Sequence, residues 1–313
     1  SGGSTANLMA LVAARHRAVG EDPSRLARLV VYSSTQGHSS VTRAAWIAGI
    51  LRSQVRAIAV DDQFRLRPDL LRQQIQVDRD AGLLPLAVVA SAGTTNTGAT
   101  DPLPALAALC QAEQLWFHID AAYGGFAALA PEGLAALEGL GLADSVTLDP
   151  HKWLYVPFEC GSLLVRDPRH LFEAFHILPD YMRDLSGSSG EINFADYGEQ
   201  LSRYSRALKV WLSVSYFGVD ALREAIAASL ERALLVERLV REQPDLELLS
   251  AARLGICCFR VRPSGTADPA RLDQLNQRVL EHINGTGNFF LSTTRIADAL
   301  ALRVCSCGWR TTD

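Results

Sequence analysis

The chain has 313 residues, 48% hydrophobic and 20% charged, enough apolar side chain for one large core and a smaller second one, which excludes disorder as its main state. Acidic residues number 34 against 30 Lys plus Arg, a net charge of -4 with no basic tract, so no nucleic-acid partner is expected and a small or zwitterionic ligand fits better. No apolar run approaches the ~20 residues that span a bilayer and no signal peptide is evident, so no membrane partner is expected either.

The six cysteines (Cys110, Cys160, Cys257, Cys258, Cys305, Cys307) include no C-x-x-C, so no metal site is expected. Reduced thiols in a cytoplasmic protein are the simpler account, with Cys305 and Cys307 on one strand face. The sequence opens on Ser1-Gly2-Gly3-Ser4 without an initiator methionine and reads as a fragment of a longer protein.

Ser4 precedes residues 5–15, whose apolar positions recur with helical spacing, and Gly20 supplies the stop. Gly2-Gly3-Ser4 therefore sits on a helix N-terminus. Free N–H groups, the positive end of the dipole and a hydroxyl make such a turn an anion site, with phosphate the usual guest. Residues 29–33 read as a buried strand, 34–38 as a polar loop, and the next helix, capped by Ser39 or Ser40, runs to about Leu51. A strand at 55–60 precedes a helix with Pro68 in its first turn and Gly82 at its close.

Residues 84–90 form another buried strand, which ends in the glycine-bounded loop 93–98. Pro102 and Pro104 start a helix reaching Gln114, and the strand 115–120 follows, with His118 and Asp120 on one face and Phe117 and Ile119 on the other. A helix at 134–140 leads to a strand at 145–148 that hands the chain to Asp149-Pro150-His151-Lys152-Trp153, and 160–166 is one more strand. From His176 to Gly198 periodicity is lost, the mark of a lid, a binding loop or disorder. Helices at 203–217 and 219–242 meet at Gly218, and strands near 256–262, 288–291 and 300–305 surround a helix at 269–283. Repeated strand–helix alternation predicts an α/β fold, a largely parallel sheet with helices on both faces. Residues 1–212 form its large domain and 213–313 a small α+β domain.

In an open α/β sheet the binding crevice lies outside the carboxyl ends of the parallel strands. Thr94-Thr95, His118 with Asp120, and His151-Lys152 all fall at such ends, beside the anion turn at Ser4 and the loop imidazole of His38. Each has a plain structural account taken alone: a surface His-Lys pair, an aspartate capping a turn, a threonine pair in a loop. Their joint occurrence on one sheet suits a pocket for pyridoxal 5′-phosphate. The phosphate needs a helix N-terminus, the aldehyde a lysine amine for a Schiff base, and the ring nitrogen a carboxylate that keeps it protonated. Ala122 is small enough for a ring to lie over it, and His38 could stack on the opposite face.

At these residues the sequence resembles the group II pyridoxal-phosphate-dependent amino-acid decarboxylases, most closely their aromatic-L-amino-acid branch. The resemblance is carried by Gly3-Ser4, His38-Ser39-Ser40, Gly93-Thr94-Thr95, Asp120-Ala121-Ala122-Tyr123, Pro150-His151-Lys152-Trp153 and Arg206-Ala207-Leu208-Lys209-Val210-Trp211. Beyond Trp211 it is one of layout. It implies an aspartate-aminotransferase-like fold, a homodimer, and Lys152 as the Schiff-base lysine. Asp120 would hold the pyridine nitrogen, with His38 and Ala122 on the two ring faces, Gly3, Ser4 and His151 at the phosphate, and Thr95 touching the cofactor. Tyr181 matches the tyrosine of the family's mobile loop, which protonates Cα once carbon dioxide has left. Asp149 stands where the family's animal members have Asn, and two anions would repel there, so no phosphate contact is expected from it; Thr5 stands where glutamate is commoner in the family. Since His151-Lys152-Trp153-Leu154 resembles the aromatic branch best, the expected reaction is decarboxylation of an aromatic amino acid. The alternatives are glutamate or 2,4-diaminobutyrate as substrate, an aminotransferase or lyase on the same fold, and a non-catalytic homologue.

Overall fold

The computed structural model describes residues 2–177, 192–266 and 268–312. Helix α1 (Gly3–Val19) begins earlier than expected: Gly2 is its N-cap, and Ser4 lies inside the first turn. A short α2 (Pro23–Leu26), with proline at its first position, turns the chain into β1 (Leu29–Ser34). Then come α3 (Ser39–Ile47), β2 (Val55–Ile58), α4 (Pro68–Asp80), β3 (Leu84–Ser91), α5 (Leu103–Ala112) and β4 (Trp116–Asp120). They are followed by α6 (Pro131–Ala136), β5 (Ser145–Leu148), β6 (Ser162–Val165) and α7 (Arg169–Phe175). The strands form one sheet in the order β2-β1-β3-β4-β5-β6, with every neighbour parallel except β6, which runs antiparallel to β5.

Period-2 alternation decides which side chain meets which layer. Val30, Tyr32, Val88, Ala90, Phe117 and Ile119 enter a core shared with Leu71 and Ile75 of α4 and with Leu103 and Leu106 of α5. Leu29, Val31, Ala87, Val89 and Trp116 enter the other, against Leu11 and Ala14 of α1 and Val41 and Ala45 of α3. Each buried Leu or Ile contributes ~1.5–3 kcal/mol. A one-residue slip of any central strand would turn both sets out at once, so register is firmly fixed.

The chain continues into α8 (Arg206–Glu242), which Gly218, at φ 79° and ψ 156°, breaks into two arms. An antiparallel sheet follows in the order β7-β8-β10-β9, built from β7 (Leu246–Arg253), β8 (Ile256–Val261), β9 (Ser292–Ile296) and β10 (Ala299–Cys305), with α9 (Pro269–Gly285) between β8 and β9. Among the described residues no helix is long and apolar enough to cross a membrane.

Several expectations are corrected. β7 was not anticipated, because Leu-Glu-Leu-Leu-Ser-Ala-Ala-Arg is rich in helix formers and only its pairing with β8 makes it a strand. β9 lies at Ser292–Ile296 rather than 288–291, and Phe289 and Phe290 are 70% and 84% exposed. Its register is set by the two-residue turn Ala297-Asp298, both at positive φ, as hairpin twist requires. α6 starts at Pro131, where proline suits the first helical position, and α8 starts at Arg206. The cap of α3 is His38, whose ring accepts from Ser40 N, rather than either serine. Cys307 lies past the end of β10, although its Sγ is 3.6 Å from that of Cys305.

The loop after β3 meets the end of β7 at Gly98, which has φ +72° and where a Cβ would stand 2.1 Å from the Arg253 carbonyl oxygen. Gly98→Ala is expected to cost ~2–4 kcal/mol through backbone strain plus that collision. Urea denaturation with an unchanged midpoint would contradict this reading of the contact.

Candidate active site

The register of the parallel sheet places Ser91, Asp120 and Thr147 side by side at the carboxyl ends of β3, β4 and β5. α1 packs across β3, β4, β5 and β6 and brings its N-terminus to the same edge. The approach is close enough to demand glycine, since a Cβ on Gly3 would lie 2.9 Å from Asp149 Oδ2 and 3.0 Å from Ala122 Cβ. The first-turn N–H groups of a helix have no partner four residues back, so this terminus offers donors and a positive dipole end to an anion.

A cavity of about 410 Å³ opens there, and Gly3, Ser4, His38, Thr95, Asp120, Ala122, His151 and Lys152 all line it. Tyr181 lies outside the described residues. Thr94 is buried and bonded to Thr97 Oγ1 (3.0 Å) and Ala99 N (3.1 Å), so it holds the loop shape while Thr95 faces the open space.

Lys152 follows β5 in a tight turn in which its N–H donates to the Asp149 carbonyl (2.9 Å). The turn is pinned by Trp153, which is fully buried and packs on Tyr123 at 4.8 Å, while Tyr123 Oη donates to Leu254 O (2.8 Å) across to the second sheet. His151 Nδ1 lies 2.6 Å from Cys160 O and 3.1 Å from Cys160 N, which turns its other ring edge toward Gly2 and Asp149. The Lys152 ammonium meets Asp149 Oδ2 at 3.1 Å. Asp149 is almost fully buried, and burial raises its pKa above the ordinary carboxylate value even though Lys152 and His151 pull it down.

Asp120 is held differently, through neutral donors. Ala122 N donates to Oδ1 (3.2 Å) and Asn7 Nδ2 donates to Oδ2 (2.9 Å). His118, on the same face of β4, is buried below it, and burial depresses its pKa to about 4, so its ring is neutral. Asn7, which also lines the cavity, and Thr147, bonded to it from beneath, therefore support the site although sequence reasoning did not single them out, and Ser40, quoted there only as a candidate cap and as part of the His38 motif, joins them. The available signal was Asn7 itself, a polar residue one turn after Gly3 on the buried side of an apolar helix.

The set fits pyridoxal 5′-phosphate: an anion seat at Gly3 and Ser4 that a side chain would fill, an amine at Lys152, and a carboxylate at Asp120 whose charge no neighbouring cation neutralises among the described contacts. A mostly parallel sheet with such a cavity at its carboxyl edge is the aspartate-aminotransferase-like α/β fold, the class to which its structural neighbours belong. The family described as "Pyridoxal-dependent decarboxylase conserved domain" matches residues 1–262, and the chain belongs to that family. It is 42% identical to an aromatic-L-amino-acid decarboxylase of Bacillus atrophaeus, over all of this chain and 65% of the relative. It is 36% identical to tryptophan decarboxylase TDC2 of Camptotheca acuminata, over 96% of this chain and 61% of that protein. The crystal structure of Oryza sativa TDC with PLP and tryptamine superimposes with a TM-score of 0.91 at 34% identity, over 96% of this chain and 64% of the other. The chain thus spans a little under two thirds of the length of these proteins.

Because Asp149 sits against the anion seat, its charge should oppose anion binding. Asp149→Asn is expected to tighten sulfate binding by the cofactor-free protein about tenfold. In the parent, sulfate affinity should rise as pH falls through the raised Asp149 titration, since protonation removes the repulsion. Calorimetric titration giving equal affinities for parent and variant would contradict this.

Proposed function

We propose that the chain carries the catalytic core of a pyridoxal-phosphate-dependent decarboxylase that converts an aromatic L-amino acid to its amine and carbon dioxide. The observation that carries this reading is Lys152 and Asp120 in one cavity closed by a helix N-terminus. The printed names of the Bacillus and Camptotheca relatives, and the tryptamine bound by the Oryza protein, support an aromatic substrate.

When bound, pyridoxal phosphate supplies an aldehyde that captures an amine and a protonated ring that draws in the electrons of a breaking Cα bond. Lys152 would be the amine that holds it between turnovers and gives way to the substrate amine. Gly3 and Ser4 would hold the phosphate through first-turn N–H groups, with His151 beside them. Asp120 would pair with the ring nitrogen and keep it protonated. His38 and Ala122 would hold the ring, with Thr95 at the rim. Tyr181 delivers the proton to Cα after carbon dioxide leaves; where that proton lands separates amine formation from abortive transamination. On this reading residues 1–212 are the cofactor-binding domain and 213–313 the small domain of a cytoplasmic homodimer.

The test is a panel of tyrosine, tryptophan, phenylalanine, dihydroxyphenylalanine, glutamate and 2,4-diaminobutyrate, assayed for carbon dioxide release by the full-length holoenzyme. An aromatic member should be preferred. Keto-acid-dependent amino transfer without carbon dioxide would replace the decarboxylase reading with an aminotransferase. Tyr181→Phe should keep the cofactor yet form ~100-fold less amine, and an unchanged amine yield would remove Tyr181 from the mechanism.

A further inference from the structure

Asn7 has all four of its side-chain hydrogen-bonding positions filled. Oδ1 accepts from Thr147 Oγ1 (2.7 Å) and lies 2.9 Å from His118 Nε2, while Nδ2 donates to Asp120 Oδ2 (2.9 Å) and to Ser40 Oγ (3.0 Å). The direction of every bond is determined. A carboxylate can only accept, so the amide NH₂ must face Asp120 and the carbonyl must face His118, which makes His118 Nε2 the protonated nitrogen. His118 Nδ1 is then bare and takes the hydroxyl proton of Ser145 at 2.8 Å, and Ser145 Oγ in turn accepts the indole N–H of Trp116 at 2.8 Å. On the other branch Ser40 N donates to His38 Nδ1 (3.2 Å), so that nitrogen is also bare and accepts the Ser40 hydroxyl at 2.8 Å. The whole relay, Trp116 to Ser145 to His118 to Asn7, therefore delivers donors to Asp120 without delivering a charge.

We infer that Asn7 is a positioning residue for the cofactor ring: one buried amide fixes the Asp120 carboxylate through neutral donors and, through Ser40, the imidazole of His38. This rests on the reading of Asp120 as partner of the ring nitrogen and His38 as the stacking ring. The physical gain is specific. A cation in the place of Asn7 would neutralise Asp120 and leave the ring nitrogen without a counter-charge, whereas no donor there would leave a carboxylate basic enough to take the ring proton itself. An amide lies between those two failures. Because Asn7 is one helical turn from Gly3, the same stretch of α1 also sets the distance between the phosphate seat and the ring partner.

The test is the ¹⁵N resonance of ring-labelled pyridoxal 5′-phosphate in the full-length holoenzyme, read with the dissociation constant of the cofactor. Asn7→Leu, which deletes the donors, should move the resonance toward that of an unprotonated pyridine and weaken binding about tenfold. Asn7→Asp keeps the shape and the bonds from His118 and Thr147, and should move the resonance the same way. Ser40→Ala cuts only the branch to His38 and should weaken binding a few-fold with the resonance unmoved. Asp120→Asn is the control for the underlying reading: if it leaves the resonance unchanged, Asp120 is not the ring partner. If Asp120→Asn moves the signal while folded Asn7→Leu or Asn7→Asp does not, the role given to Asn7 is overturned. A shift with Ser40→Ala as large as that with Asn7→Leu would equally contradict the two-branch arrangement.

Discussion

The site depends on one packing constraint: α1 must lie close enough to the ends of β4 and β5 for its first turn to face their terminal side chains. Gly3 permits that approach, because any Cβ there would run into Asp149 and Ala122. Asn7 then bonds across it, meeting side chains from β4, β5 and α3 at once. Small residues on the helix, including Ala6, Ala10, Ala13 and Ala14, are all buried and let the whole helix follow its first turn inward. Fold and site are therefore one construction, and loosening α1 would move the anion seat and the Asp120 donor together.

Two carboxylates in this cavity are managed in opposite ways. Asp149 is paired with the Lys152 ammonium and crowded by the helix terminus, and burial still raises its pKa despite that partner. Asp120 receives only neutral N–H donors among the described contacts, with no cation paired to it there. Such a division of labour between neighbouring acids is how one pocket can hold a cation-seeking group and an anion seat a few ångströms apart. The Lys152 side chain is 39% exposed, while the Trp153 that follows it is locked into the core.

Much of this was legible in the sequence because strand ends and helix starts leave local marks. Buried runs, glycine-bounded loops and first-turn prolines gave the large sheet and its carboxyl-edge residues, and each described residue expected at the site reached the one cavity. What escaped was set by tertiary pairing: β7 is a strand made of helix formers, and β9 ends in a turn of Ala297 and Asp298 with no glycine to announce it. The hydrogen-bonded layer beneath the site was equally hidden. Asn7 and Ser40 lie 33 residues apart, and Asn7 and Thr147 lie 140 apart, so only the folded register brings them together.

The central claim is that Lys152 is the covalent anchor of the cofactor. The sequence contains only two lysines, Lys152 and Lys209, and the second donates to the Pro157 and Glu159 carbonyls (3.0 and 2.8 Å). Borohydride reduction of the pyridoxal-phosphate-loaded protein, followed by digestion and mass spectrometry, should place the reduced adduct on the peptide carrying Lys152. An adduct on the Lys209 peptide, or on neither, would contradict the account.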